Sequence, residues 1–274
     1  MLQAKVLRIV EPHEEITFFN NLHIIRKNDK SIRPILDCRI LNLYVEHEGS
    51  EYFSHLKMLS LLPENAKFLS SFDLASAYLN IKIREKDQIH FTFQDPLHRT
   101  ICFQRMPFGS KNSLFYLHNA LHFMLQKFLP NILIFSDDVL IWSHTEGEHL
   151  KLICEIIDTL HKLNFKIKPP KIFLFRDSLT YLGITIEKGK LDIPKLKLQG
   201  ISDYCAPKTP KALQRFVYST AFYRHFIPRY SEKVNFFMKM LENCKIKLPG
   251  KRGKIQYLAK NMFGTKTPSV ILTN

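Results

Sequence analysis

An α+β domain is the fold class that the sequence predicts, and three observations predict it. Short runs rich in Ile, Leu, Val and Phe alternate with stretches of helical periodicity. One such run, Asn131 to Ser143 (NILIFSDDVLIWS), has two apolar arms meeting at Ser-Asp-Asp, the composition of a β-hairpin with turn residues at its tip. The 274 residues are 45% hydrophobic, enough for a sizeable core, yet no uncharged apolar run reaches the ~18 residues that a membrane span needs.

Taken in order, NLHIIRK and RPILDCR read as strands around the polar turn Asn28-Asp29-Lys30. His55 to Leu62 is helix-like, and Lys67 to Leu74 is a strand that delivers Asp73 at its end. A short helical turn is expected over Ala75 to Leu79, then strands at NIKI, HFTFQ and RTICFQR, the last two around Asp95-Pro96. Leu114, Leu117, Leu121, Leu125 and Phe128 recur at helical spacing, so Lys111 to Phe128 should pack one face on a sheet. After the hairpin, Glu148 to Leu163 is amphipathic, with Leu152, Ile156, Leu160 and Leu163 on one face. FKIK and Leu179 to Ile186 read as strands, and the change of character at Leu191 to Pro194 marks a predicted domain boundary. Beyond it Thr209 is a good N-cap with Pro210 in the first helical position, opening a helix to about Phe222, and Pro228 to Leu241 is a further helix.

The formal charge of +15 points to an acidic partner, nucleic acid before membrane, because no basic amphipathic helix stands out. From Ser231 to Asn274 nine Lys or Arg face only Glu232 and Glu242, and the last dozen residues are expected to be solvated or disordered. Five cysteines, Cys38, Cys102, Cys154, Cys205 and Cys244, are far apart with no Cys-x-x-Cys pair, so reduced thiols are expected rather than zinc. The N-terminus lacks the apolar core of a signal peptide, and an intracellular location is expected, with cytoplasm and nucleus not distinguished.

Asp137 and Asp138 are an odd charge to find between two apolar arms. Two like charges about 4 Å apart repel by roughly 4 kcal/mol at an effective dielectric near 20, a strain that bound divalent cations relieve. The residues alone allow either a solvated turn or a cation site. Asp73 is equally open between ligation and capping of the turn that follows it.

The order of segments narrows this choice. FDLASAY with Asp73, RMPFG with Gly109, FSDD with Asp137 and Asp138, the basic KIKPPK and YLG at Tyr181 to Gly183 resemble motifs A to E of reverse transcriptases. The likeness is greatest to Gypsy-type LTR retrotransposon Pol polyproteins. KNDKSIRPILDCRILN resembles that family's fingers segment and TPKALQRFVYSTAFYRHFIPRYS the start of its thumb, so the likeness runs from about Asn20 to Ser231. It implies a right-hand polymerase fold: fingers and palm over residues 1–192, built on antiparallel sheet with packed helices, a partial helical thumb over 193–243, and a basic tail over 244–274.

The resemblance also implies roles. Asp73 and Asp137 would be the principal ligands of two Mg²⁺ ions and Asp138 the auxiliary one, with Mn²⁺ able to take their place. Tyr78 would lie under the incoming sugar and exclude a 2′-hydroxyl; alone, an aromatic beside Ala77 and Leu79 is more often core. Arg33, with Arg26 or Lys27, would grip the triphosphate, Arg being suited by its planar fork. Arg39 would brace the fingers through Asp37 or Glu46. Gly109 would let the backbone approach the templating pair, with Pro107, Phe108 and Asn112 at the template-primer. Lys171 would protonate the departing pyrophosphate, and Tyr181, Leu182 and Gly183 would grip the primer, although an exposed lysine and plain strand core explain them too. The implied partners are an RNA or DNA template with primer, dNTP, and other retroelement Pol domains or a second subunit; no membrane is implied.

Some residues depart from the family pattern. Asn-Ala-Pro is usual after motif B, whereas Asn112 is followed by Ser113 and Leu114, and Phe115-Tyr116-Leu117-His118 replaces smaller, more polar residues. Phe135 and Ser136 stand where Tyr and a small apolar residue are usual. No protease signature or zinc knuckle is present, and too little follows the thumb segment for a ribonuclease H or an integrase, which suggests a piece of a longer polyprotein. Two functions therefore stand side by side: an RNA-directed DNA polymerase domain, or a truncated relic or co-opted nucleic-acid-binding protein without turnover.

Overall fold

The computed structural model describes residues 1–16, 18–26, 32–48, 59, 62–63, 66–204, 207, 209–242 and 270–271. The chain divides into two compact units, residues 1–59 with 70–175 and residues 60–69 with 176–274. The helix expected at His55 to Leu62 lies outside the described residues except at Leu59 and Leu62.

In the first unit the order is β1 (Leu7–Ile9), β2 (Asn21–Arg26), β3 (Ile32–Asp37), α1 (Leu41–Tyr44), β4 (Phe68–Ala75), α2 (Glu85–Gln88), β5 (Thr92–Gln94), β6 (Thr100–Phe103), α3 (Ser113–Leu125), β7 (Ile132–Phe135), β8 (Asp138–Ser143), α4 (Glu146–Lys162) and β9 (Lys166–Arg176). A 3₁₀ turn at Ala77–Asn80 follows β4, where the sequence predicts a helical turn. Strands β2 and β3 form an antiparallel pair from Asn21↔Asp37 to Arg26↔Ile32. A second sheet runs β1-β6-β5 and a third β7-β8-β4-β9.

NIKI does not become a strand. The 3₁₀ turn takes Asn80, and only an isolated bridge, Lys82↔Arg105, forms beside it. Ile83 N–H donates to the Gln104 carbonyl and Met106 N–H to that of Ile81, both at 2.9 Å, so the backbone is satisfied without a ladder.

The four-stranded sheet carries the main core. Phe72 and Leu74 of β4, Ile132 and Ile134 of β7, and Val139 and Ile141 of β8 pack with Leu117, Leu121 and Leu125 of α3 and with Ile153, Ile156 and Leu160 of α4. Alternate strand positions share a face, so all six strand residues fall on the same side. Each fully buried side chain contributes about 1.5–3 kcal/mol, which makes this cluster the main anchor of the sheet. Helix α4 starts where the Thr145 side chain accepts from Glu148 N–H, with Glu146 and Glu148 in its first turn and His161 and Lys162 in its last, as the helix dipole favours.

In the second unit β10 (Ser178–Tyr181), β11 (Ile184–Glu187), β12 (Lys190–Asp192) and β13 (Val270–Ile271) form an antiparallel sheet in that order, with α5 (Lys195–Ser202), α6 (Pro210–Ala221) and α7 (Tyr230–Glu242). The single strand expected over Leu179 to Ile186 is a hairpin instead. Leu182 and Gly183 both take positive φ, 49° and 78°, the requirement of a tight two-residue turn that matches strand twist. Helix α6 starts as its sequence predicts, the Thr209 hydroxyl accepting from Ala212 N–H at 3.1 Å with Pro210 next. Phe216 packs on Tyr204 and Phe237 at 5.3 and 5.9 Å between ring centroids. The Leu191 to Pro194 segment joins β12 to α5 inside this unit, and of residues 243–274 only β13 is described. Among the described residues no helix is long and apolar enough to cross a membrane.

A fully buried histidine ties the ends of the four-stranded sheet together. His149 Nδ1 lies 3.0 Å from Ser143 Oγ, which itself donates to the Thr145 carbonyl, so the ring donates there. Its Nε2 lies 2.7 Å from Ser70 Oγ, which accepts from Phe175 N–H at 3.0 Å. Neutral imidazole satisfies this pattern, and burial lowers the His149 pKa from its ordinary 6.5. A lowered folded pKa means that the unfolded chain binds the extra proton, so stability from His149 is complete above about pH 6.5 and is lost as pH falls. Thermal melts between pH 5 and 7.5 are expected to show a steeper acid loss for the native chain than for His149→Gln; parallel curves contradict this.

Candidate active site

Strand β4 lies next to β8, and Leu74 N–H donates to the Asp137 carbonyl at 2.7 Å. Phe72 and Leu74 face the core, so strand alternation puts Asp73 on the opposite face; Val139 does the same for Asp138. Asp73 is thus a strand residue, and the 3₁₀ turn that follows has Ser76 at its N-cap. The hairpin closes between paired Phe135 and Asp138, leaving Ser136 and Asp137 as a two-residue turn with Ser136 at φ 57°. Ser136 Oγ donates to Asp137 Oδ1 at 3.1 Å and lies 3.1 Å from the Tyr78 hydroxyl.

Two lysines from β9 meet these carboxylates. Lys168 Nζ bridges Asp73 Oδ2 at 3.2 Å and Asp137 Oδ2 at 3.1 Å, while Lys171 Nζ pairs with Asp73 Oδ2 alone. The Lys168 side chain is 27% exposed and that of Lys171 58%. Burial and then the hydrogen bond and negative charge of Asp73, followed by the charge of Asp137, push Asp138 up to about 7. Burial works against ionisation of Asp73 as well, but hydrogen bonds from Asp138, Lys171 and Lys168 outweigh it and hold that carboxyl below its ordinary value. The hydrogen bond to Asp73 raises Lys171, ahead of the opposing effect of its burial. Two ammonium groups and a shared proton therefore hold the three carboxyls together. Among the described residues no three His, Cys, Asp or Glu side chains are preassembled around one metal position. The donors nonetheless fit a hard divalent ion: they are carboxylate oxygens, and the space between Asp73 and Asp137 already accepts a cation.

Aromatic and polar groups line the same side. Tyr78 packs on Phe108 at 4.9 Å, and the Arg33 guanidinium sits over the Phe108 ring at 4.8 Å. Lys27 lies outside the described residues. Arg39 pairs with Asp37 at 2.7 Å, one of its two expected partners. At Gly109, φ is 117° and an added Cβ would lie 2.0 Å from the Leu36 carbonyl oxygen, so glycine is required by close approach to β3. The Asn42 side chain donates to the Gly109 carbonyl at 3.0 Å and accepts from Lys111 N–H at 2.9 Å. Buried Asn112 donates to the Glu46 carbonyl and accepts from Glu48 N–H, and Ser113 Oγ donates to the Pro107 carbonyl. Within the atypical Asn112 to His118 segment, Ser113, Leu117 and His118 are buried where α3 begins, while Tyr116 is exposed. In the second unit Tyr181 is buried, and a Cβ added at Gly183 would meet the Phe222 ring at 3.5 Å.

Residues 25–186 match the family model for reverse transcriptase (RNA-dependent DNA polymerase). The chain belongs to this family. The Gag-Pol polyprotein of avian reticuloendotheliosis virus is 28% identical over 219 residues, covering 76% of this chain and 19% of that polyprotein. The retrovirus-related Pol polyprotein from transposon gypsy of Drosophila melanogaster is 29% identical over 163 residues, 59% of this chain and 16% of the relative. This reverse transcriptase family member thus spans less than a fifth of the length of either. The foamy viral protease-reverse transcriptase in complex with double-stranded DNA aligns with a TM-score of 0.84 at 23% identity over 94% of this chain and 45% of its own. The same protein in complex with an RNA/DNA hybrid gives 0.82 at 22% over 95% and 35%. At such identity the likeness establishes the fold, the right-hand polymerase fold of reverse transcriptases.

The first unit brings together Asp73, Asp137, Asp138 and Lys171 in one cluster, and Tyr78, Phe108 and Arg33 in a chain of contacts reaching Ser136. Sequence reasoning missed Lys168, Ser136 and Asn42. A signal existed for the first: KIKPPK carries three lysines and the motif match uses one.

Without divalent ions, the raised Asp138 pKa has a readable consequence. The folded chain holds this proton more tightly than the unfolded chain, whose value is near 4, so its stabilisation is complete below about pH 4 and lost as pH rises towards 7. Melting curves in EDTA are expected to show Asp138→Asn gaining stability over the native chain as pH rises from 5 to 7.5, the opposite slope change to His149→Gln. An unchanged slope contradicts the shared proton.

Proposed function

We propose that this chain is the polymerase domain of an RNA-directed DNA polymerase, adding deoxynucleotides to a primer. The observation that carries this reading is the meeting of Asp73 with Asp137 and Asp138 across β4 and the β7–β8 hairpin, in a chain of the reverse transcriptase family. Asp73, Asp137 and Asp138 would hold two Mg²⁺ ions, which when bound supply activation of the primer 3′-hydroxyl and neutralise the leaving pyrophosphate. Asp138 must release its proton to join them, so cation affinity rises with pH through about 7.

The remaining roles fall to the chain's own side chains. The Arg33 fork, steadied on Phe108, grips the triphosphate, and Lys27 joins it. The Tyr78 ring, held between Phe108 and Ser136, forms the floor under the sugar, where a 2′-hydroxyl finds no room. Lys171, the more exposed of the two site lysines, gives a proton to the departing pyrophosphate. Pro107, Phe108, Gly109 and Asn112 set the template position by fixing the backbone against β3 and residues 46–48. Tyr181, Leu182 and Gly183 present a tight turn to the primer backbone. The substrates are a template-primer of RNA or DNA and dNTP, and other retroelement Pol domains or a second subunit are its protein partners. Residues 1–192 serve as fingers and palm, and 193–243 as a partial thumb.

Primer extension on matched RNA and DNA templates tests this directly. The chain is expected to extend on both, and Asp137→Asn to reduce the rate at least ~10³-fold, because losing this ligand removes the ions' activation of the primer hydroxyl. Salt-sensitive binding without extension, unaffected by Asp137→Asn, instead supports a nucleic-acid-binding relic.

A further inference from the structure

The role of Lys168 is not covered by the motif roles, and its geometry is specific. Its ammonium touches Asp73 Oδ2 and Asp137 Oδ2 at once, whereas Lys171 touches only Asp73. It is also the less exposed lysine, facing an Asp73 side chain that is only 14% exposed, so solvent screening is weaker than for a surface pair. The strand that carries it is constrained: β9 lies next to β4, Pro169 and Pro170 fix the backbone immediately after Lys168, and Phe175 N–H is held by Ser70. Three carboxyls that repel one another need positive charge to stay within reach, and Lys168 supplies it from within the chain.

We propose that Lys168 is an internal counter-ion: it holds Asp73 and Asp137 together before a divalent cation arrives, and competes with that cation for the same two oxygens. Resting on the reading above for its choice of divalent ion, this role of Lys168 concerns cation affinity and not turnover. Lys168 is accordingly a positioning residue that sets how much free metal the site requires. Entry of the ion displaces the ammonium, which leaves towards solvent while Lys171 remains.

The test is titration with Mn²⁺ alone, following the free aquo ion by electron paramagnetic resonance, on the full chain and its variants. Lys168→Gln is expected to bind Mn²⁺ about tenfold or more tighter than the native chain, because a unit charge at contact distance acts through a dielectric well below that of water. Lys168→Arg, which keeps the charge, should stay within about threefold of native, and Asp137→Asn should abolish the tight site. In EDTA, Lys168→Gln should melt below the native chain and recover on addition of Mn²⁺. Equal or weaker binding by Lys168→Gln, an Arg variant as tight as the Gln variant, or no Mn²⁺ binding by either chain overturns the inference. A Gln variant that folds only with Mn²⁺ supports it, and one that stays unfolded with Mn²⁺ overturns it. Loss of primer extension with the Mn²⁺ difference intact removes the polymerase reading and leaves this one standing.

Discussion

The hydrogen bond from Leu74 N–H to the Asp137 carbonyl, 2.7 Å long, joins residues 63 positions apart in sequence, and the acidic cluster depends on it. It fixes which residues of β4 stand opposite the hairpin tip. Because strand side chains alternate, one position of slip would turn Asp73 into the core and Leu74 out to solvent. The apolar residues on the other face forbid that slip: Phe72 and Leu74 are buried with Val139, Ile141 and the leucines of α3. Core packing thus sets the register, and the register sets the carboxylates.

Bringing acids together creates an electrostatic problem that nearby groups solve in different ways. Lys168 and Lys171 contribute positive charge, Asp138 keeps its proton to about pH 7 and donates to Asp73, and Ser136 donates to Asp137. On the proposed reading a divalent ion would take over this charge balance, and the chain's own ammonium groups and protons stand in for it. The surrounding frame is more rigid. Gly109 allows the Leu36 carbonyl to come where no Cβ would fit, and Asn42 and Asn112 fasten the flanking backbone to residues 67 and 66 positions away in sequence.

Much of the fold was legible from periodicity and turn chemistry. The two long helices of the first unit, the Thr209-Pro210 helix start and the Asp-Asp hairpin all declare themselves locally, because apolar spacing and capping are short-range signals. The failures came where local pattern underdetermines geometry. NIKI is apolar enough for a strand, yet the preceding 3₁₀ turn uses its first residue; Leu179 to Ile186 reads as one run, yet Gly183 allows a turn inside it. At the site, the aspartates stood out because charge between apolar arms is unusual. Lys168 did not, since a lysine in a basic strand acquires meaning only when a sheet places it over two acids from elsewhere.

On this reading Asp73 and Asp137 form one cation site. A crystal structure of the chain soaked with Mn²⁺, read by anomalous scattering, addresses it most directly. Anomalous density is expected to bridge carboxylate oxygens of Asp73 and Asp137, with the Lys168 ammonium withdrawn from between them. Density on a single carboxylate, or none while Lys168 keeps both contacts at saturating Mn²⁺, contradicts it.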